Sequence, residues 1–159
     1  MILYDNDFLT ESEIQYLLEF SKIQKFRPFR KEIIYFDNIE LTTDKFDLSP
    51  IKNNLIKKSN FTTIRLQKYD ETLNQVTRFH AHNDIHNYVI FLNDDFKGGE
   101  LEFECGILIK PKKGSIVYFC NNERHRVLNC KGTRYSLVLS GNKSINLDSF
   151  SVRKRDVLI

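Results

Sequence analysis

Cysteine is scarce in this 159-residue chain, and the three present, Cys105, Cys120 and Cys130, are an odd number with no CxxC spacing. That pattern argues against a disulfide scaffold and against a structural zinc site, and reads as three small, mostly buried hydrophobes. No apolar run approaches the length of a membrane span. The opening Met1-Ile2-Leu3-Tyr4 runs straight into Asp5, Asn6 and Asp7, without the pattern of a signal peptide. A soluble, reducing, cytoplasmic setting with no membrane partner is the default expectation. An excess of one charge is also lacking: 24 Lys+Arg against 21 Asp+Glu leave a net +3. So small a surplus does not establish a concentrated basic face, which argues against nucleic acid as a partner. Neither an internal repeat nor a low-complexity segment is visible.

What is present suits one domain spanning 1–159, with a helical part over about 1–60, a β core over about 61–140 and a tail over about 141–159. A chain of this length removes on the order of two-thirds of its unfolded surface from water. Thr10-Glu11-Ser12-Glu13 has the form of a capping box, and Ile14, Leu17, Leu18 and Ile23 then recur at helical spacing. A second helix is predicted from Ser49-Pro50, with Ile51, Leu55 and Ile56 as its stripe. Glu32 to Phe36 between them reads as a strand. From Phe61 the pattern shortens. Phe61–Tyr69, Asn87–Leu92, Glu100–Glu104, Ile107–Ile109, Ser115–Cys120, Arg126–Leu128 and Thr133–Leu139 read as strands rich in β-branched and aromatic residues. Gly98-Gly99, Pro111 to Gly114, Asn121-Asn122 and Lys131-Gly132 supply turn chemistry between them. The expected fold is α+β, mainly β: a sandwich, jelly roll or barrel with N-terminal helices on one sheet.

Histidine is limited to four residues, so each candidate can be weighed. Residues i and i+2 of an extended segment share a face, so His82 and Asp84 can offer a nitrogen and a carboxylate to one metal ion. Two neutral histidines plus a carboxylate on one face make a non-haem iron site with open positions opposite. His125, which opens a predicted strand after Asn121-Asn122-Glu123, is the distal candidate. His80 shares the parity of His82 and Asp84 and is ranked below His82 because the local pair with the carboxylate is His82–Asp84. His86 lies beyond Asp84 at a turn. Surface or hydrogen-bonded histidines without a metal remain the competing explanation at this point, since a His-x-Asp pair is short and common.

Longer blocks then weigh in. Phe79-x-x-His82-x-Asp84, Phe91-Leu92-Asn93-Asp94-Asp95-Phe96-x-Gly98-Gly99-Glu100-Leu101-x-Phe103, Pro111-Lys112-x-Gly114-Ser115-x-x-x-Phe119, His125-x-Val127 and Gly132-x-Arg134-Tyr135-Ser136 follow in order. Together they resemble the prolyl 4-hydroxylase-like Fe(II)- and 2-oxoglutarate-dependent dioxygenases, from Ile2 to Leu139. The resemblance implies a double-stranded β-helix (jelly-roll) core. It implies catalytic, metal-ligating roles for His82, Asp84 and His125, with Fe(II), 2-oxoglutarate and O2 required and ascorbate a candidate reductant. It implies that Arg134, nine residues after His125, binds the far carboxylate of 2-oxoglutarate, with Ser136 on the same strand face and Tyr69 lining the pocket. Phe91 departs from the family, where some relatives have tyrosine; Tyr69 and Tyr118 are both open as replacements for the missing phenol.

The implied reaction consumes 2-oxoglutarate and oxygen, releases succinate and carbon dioxide, and hydroxylates an unactivated C–H bond. Asp84 points to hydroxylation, because related halogenases lack this carboxylate. A prolyl residue in a protein or peptide is the first choice of substrate, and a free amino acid or other small molecule the alternative. The segment Asp70 to Arg78 is expected to help select it as a lid. A demethylase of nucleic acid is disfavoured, because its second arginine, six residues after the first, is here Ser140. A keto-acid-independent metal enzyme and a non-catalytic metal-binding module on the same fold complete the alternatives.

Overall fold

Alternation along two adjacent strands decides which side of the molecule becomes the core and which the site. The computed structural model describes residues 1–31, 34–40, 61–70 and 78–143. Within them β4 (Thr63–Tyr69) and β12 (Arg134–Gly141) pair antiparallel, with Leu137 opposite Leu66 and Arg134 opposite Tyr69. Successive side chains point to opposite faces. Ile64, Leu66, Leu137 and Leu139 therefore meet one core, while Thr63, Arg65, Gln67, Tyr69, Arg134, Val138 and Ser140 line a cavity on the other face.

These two strands lie inside a seven-stranded sheet in the order β1-β9-β5-β12-β4-β3-β2. The others are β1 (Ile2–Asp5), β2 (Arg27–Lys31), β3 (Ile34–Glu40), β5 (His86–Phe91) and β9 (Ile116–Cys120). A smaller sheet pairs β10 (His125–Val127) with β7 (Leu101–Phe103), and β7 with β8 (Leu108–Ile109). A two-stranded ribbon joins β6 (Lys97–Gly98) to β11 (Cys130–Lys131). All registered pairings are antiparallel. The chain is thus mostly β, with one helix among the described residues.

Helix α1 (Glu11–Lys22) covers the first face of the large sheet. Its capping box forms as expected: Glu13 N–H donates to Thr10 Oγ1, and Thr10 N–H donates to Glu13 Oε1 at 3.0 Å. Ile14 and Leu17 pack with Leu3, Phe8, Ile90, Leu92, Ile116, Leu137 and Leu139. Ile23 departs from expectation. It caps the helix C-terminus and is 81% exposed, because the helix stops before its stripe reaches that residue. On the other face, Val89, Phe91, Val117 and Phe119 of the large sheet meet Leu101, Phe103, Ile109 and Val127 from the smaller one.

Asn93 ties the end of β5 to the start of β12. Its Nδ2 donates to Thr133 O (2.8 Å) and Asp95 Oδ1 (2.6 Å), while its Oδ1 accepts from Tyr135 N–H (2.8 Å). These bonds satisfy a buried amide and set where Arg134 begins. Gly98 and Gly99 have φ of 75° and 68°, as their turn requires. A Cβ on Gly98 would sit 2.0 Å from Asn129 O.

All seven strands expected after Phe61 are found, with ends shifted by one or two residues. The short strands β1, β2, β6 and β11 were not anticipated. The expected helix from Ser49, residues 32 and 33 of the early strand, residues 71–77 of the expected lid and residues 144–159 of the expected tail lie outside the described residues. No described helix is long and apolar enough to cross a membrane.

Candidate metal and co-substrate site

The cavity has a volume of about 230 Å³ and opens between the two sheets. Its walls combine Val89, Leu101, Phe119 and Val127 with a polar row from β4 and β12. At one end stand three histidines. His125 opens β10, opposite Phe103, and is only 4% exposed. His80 pairs with it through backbone bonds in both directions, each 2.9 Å. His82, two residues on, brings Nε2 to 3.1 Å from His125 Nε2. Ligand atoms of all three lie within 4.8 Å of one another.

The protonation of this cluster follows from its surroundings. Burial pushes the His125 pKa down to about 3, reinforced by His80 and His82 and opposed by its bond to the Glu123 carbonyl. Burial also lowers His80. Burial, then His80 and Arg65, bring His82 to about 4, with Asp84 acting the other way. His82 is exposed by area, so water screens its shift, and His125 carries more weight. Neutral imidazoles are the form that binds metal.

Asp84 stands apart from this cluster. Its Oδ2 accepts from Ser140 Oγ at 2.6 Å and Thr62 Oγ1 at 3.1 Å, and its Oδ1 accepts from Asn142 Nδ2 at 3.4 Å. Of the expected triad, the structure therefore brings His82 and His125 together and holds the Asp84 carboxylate against the ends of β4 and β12. His86 faces the other way, with Nδ1 3.0 Å from the Tyr118 hydroxyl.

At the other end of the cavity Arg134 is 1% exposed, and its Nε and Nη1 have no hydrogen-bond partner. Its guanidinium carbon lies 5.0 Å from the centroids of both the Tyr69 and Phe91 rings. Desolvation lowers its pKa, opposed by Tyr69, Cys130 and Glu100. A buried cation with two idle donors calls for an anion, and a planar fork calls for a carboxylate. Tyr69 lines the same cavity, and desolvation raises its hydroxyl pKa to about 12. Tyr118 lies on the helix side of the sheet, so of the two tyrosines left open for the missing phenol, Tyr69 is the one at the cavity. At the departing position, Phe91 offers Arg134 a ring face. Ser136 is fully buried on the strand face of Arg134, with an unpartnered Oγ, but does not line the cavity.

Arg65 was overlooked in the sequence. It lines the cavity from β4, its Nε is buried without a partner, and its charge depresses the His82 pKa. The signal was available: Arg65 lies four residues before Tyr69 and so shares its strand face.

This donor set suits a metal and a dianionic co-substrate: neutral imidazoles at one end of the cavity and an unsatisfied guanidinium at the other. The profile of the 2OG-Fe(II) oxygenase superfamily matches residues 64–139. No characterised protein gives a significant match over the sequence. Among solved structures, a prolyl-4-hydroxylase from Pseudomonas putida is similar, with a TM-score of 0.69 and 16% identity over 89% of this chain and 92% of that one. A 2OG-Fe(II) oxygenase family oxidoreductase from Burkholderia pseudomallei has a TM-score of 0.63 and 15% identity, over 84% of this chain and 83% of that one. A prolyl 4-hydroxylase from Phytophthora capsici has a TM-score of 0.58 and 18% identity, over 86% of this chain and 56% of that one. At such identities the likenesses speak to the fold.

Proposed function

We propose that this chain, whose residues 64–139 match the profile of the 2OG-Fe(II) oxygenase superfamily, uses Fe(II), 2-oxoglutarate and O2 to hydroxylate an unactivated C–H bond of a prolyl residue in a protein or peptide. The observation that carries this is Arg134, buried with two idle donors in the cavity that the three histidines close. In this reading 1–159 is a single domain, and its two facing sheets form a double-stranded β-helix.

His82 and His125 would hold the iron through neutral nitrogens, with Asp84, which here bonds Ser140 and Thr62, as the carboxylate ligand of the proposed triad. The bound iron and keto acid supply the oxidation, with succinate and carbon dioxide as products. The chain's own task is placement. Arg134 would receive the far carboxylate with its fork, its guanidinium carbon lying 5.0 Å from both the Tyr69 and the Phe91 ring centroids. Ser136 keeps a buried, unpartnered hydroxyl on the same strand face as Arg134. Val89, Leu101, Phe119 and Val127 keep the walls apolar, which strengthens each charge contact inside.

A free amino acid is the second reading, and Arg65 favours it. Its idle Nε on the histidine side of the cavity suits a substrate carboxylate that a prolyl residue within a chain does not have. The test is succinate release from Fe(II), ascorbate and 2-oxoglutarate, with and without proline-containing peptides and free amino acids. Stimulation by peptides supports the first reading, and stimulation by free amino acids alone supports the second. Absence of succinate with every addition, in metal-loaded protein, would reject both.

A further inference from the structure

β4 carries a charge that the keto acid does not use. Thr63, Arg65, Gln67 and Tyr69 alternate onto the cavity face, and Tyr69 stands opposite Arg134. Arg65, four residues earlier, stands opposite Val138 instead. Four residues of strand span about 13 Å, so the two guanidiniums start from well-separated rows. The field of Arg65 is felt at the histidines, where its charge helps to depress the His82 pKa.

Among the described residues, no ion pair engages the Arg65 guanidinium, and its Nε is buried without a hydrogen-bond partner. The described residues that line the cavity include two arginines and no aspartate or glutamate. Charge balance then gives the missing partner its sign. In the dioxygenase reading, the ion's two positive charges and Arg134 are matched by the two carboxylates of 2-oxoglutarate and by Asp84. Arg65 is left over, beside apolar walls where an unmatched charge is unfavourable. The planar fork of a guanidinium takes a carboxylate through two parallel bonds. Thr63 and Gln67, on either side along the same face, can add neutral donors.

We propose that Arg65, flanked by Thr63 and Gln67, forms a second carboxylate subsite, so that the hydroxylated substrate carries an acidic group close to its target C–H bond. This rests on the dioxygenase reading for the places of the metal and of 2-oxoglutarate, and narrows the substrate of that reading to an acidic one. Two sources offer the same chemistry. One is the α-carboxylate of a free amino acid, and the other is an acidic side chain beside a prolyl residue in a peptide.

The test uses the full chain loaded anaerobically with Fe(II) and 2-oxoglutarate, and reads equilibrium binding by calorimetry in place of turnover. For the first source, L-proline is compared with L-prolinamide. For the second, acetyl-Glu-Pro-Ala-amide and acetyl-Ala-Pro-Glu-amide are compared with their Gln counterparts. In at least one pair the acid binds on the order of tenfold or more tightly than its amide, and the pair that shows it identifies the source. Arg65→Met removes the preference and shifts 2-oxoglutarate affinity by less than about threefold, as for a separate site. Acid and amide binding alike in every pair overturns the proposal. So does an Arg65→Met loss as large for 2-oxoglutarate as for the acids, which would make Arg65 part of the keto-acid site. Glu40 stands opposite Arg65 in the register of β3 with β4. A preference that emerges only in Glu40→Gln would make Glu40 the counter-charge and likewise overturn the proposal. Thermal melting of the variants reports folding; if Arg65→Met melts early, Arg65→Gln takes its place, and the wild-type pairs stand on their own. The 2-oxoglutarate titration separates the two readings. Fe(II)-dependent 2-oxoglutarate binding without an acid preference rejects only the acidic substrate. An Arg65-dependent acid preference without 2-oxoglutarate binding keeps the subsite and rejects the dioxygenase.

Discussion

A methyl group on Gly99 would lie 2.9 Å from Cδ of Arg134. The guanidinium reaches the cavity because residue 99 has no side chain. Gly99 also has φ +68° and would crowd Phe96 at 3.1 Å. Gly99→Ala should therefore cost about 1–3 kcal/mol in stability from backbone strain. It should also push Arg134 off its two rings and weaken 2-oxoglutarate binding several-fold. Thermal unfolding reads the first effect and co-substrate titration the second. Lost stability with unchanged affinity would mean that Arg134 does not hold the keto acid.

Direct removal of the cation should be more severe. Taking one partner from a buried charged pair costs roughly 3–5 kcal/mol, and about 1.4 kcal/mol is a factor of ten. Arg134→Ala should thus weaken 2-oxoglutarate binding by roughly two to four orders of magnitude. Arg134→Lys keeps the charge but loses the fork, and should fall between the two. An affinity change below about fivefold for Arg134→Ala would count against the assignment.

How far the site could be read in the sequence depended on how local each cause was. The Thr10–Glu13 cap and the alternation of β4 and β12 are set within a few residues, and both appear as expected. That Arg134 and Tyr69 line one cavity was legible because motif and strand parity agreed, and the register pairs them directly. The fate of Asp84 was not legible. Parity aimed it with His82, but its hydroxyl partners Thr62 and Ser140 come from distant segments of the chain. The approach of His80 to His82 was not legible for the same reason, since its backbone partner His125 is 45 residues away. β1, an edge strand on β9, gave no signal because it is four residues long and runs into an acidic turn.

The carboxylate of Asp84 has two duties that substitution can separate. Its hydrogen bonds tie the ends of β4 and β12, and such bonds contribute about 1 kcal/mol each. In the proposed triad it would also be a metal ligand. Asp84→Ala should abolish uncoupled succinate formation, whereas Asp84→Asn should recover much of the stability without recovering turnover. Succinate assays and chemical denaturation of both variants check this. Turnover at the wild-type level in either variant would remove Asp84 from the triad.

Acid should destabilise the metal-free protein through His125. Its folded pKa is pushed down to about 3 by burial, against an ordinary value of 6.5. As pH falls below 6.5 the unfolded chain takes up a proton there and the folded protein does not. The stability that His125 protects is therefore intact above pH 6.5 and drains away between 6.5 and about 3. Each unit of that window is worth up to about 1.4 kcal/mol from this one group. Carboxylates titrate in the lower part of the same range, so the informative quantity is the difference between wild type and His125→Gln in urea unfolding at pH 7, 6 and 5. Wild type should lose stability over this interval more steeply than the variant. A saturating divalent ion should steepen the wild-type loss further, because the ion needs the unprotonated rings and is released as they protonate. Equal slopes for wild type and His125→Gln, with and without the ion, would mean that His125 is neither held neutral nor a ligand.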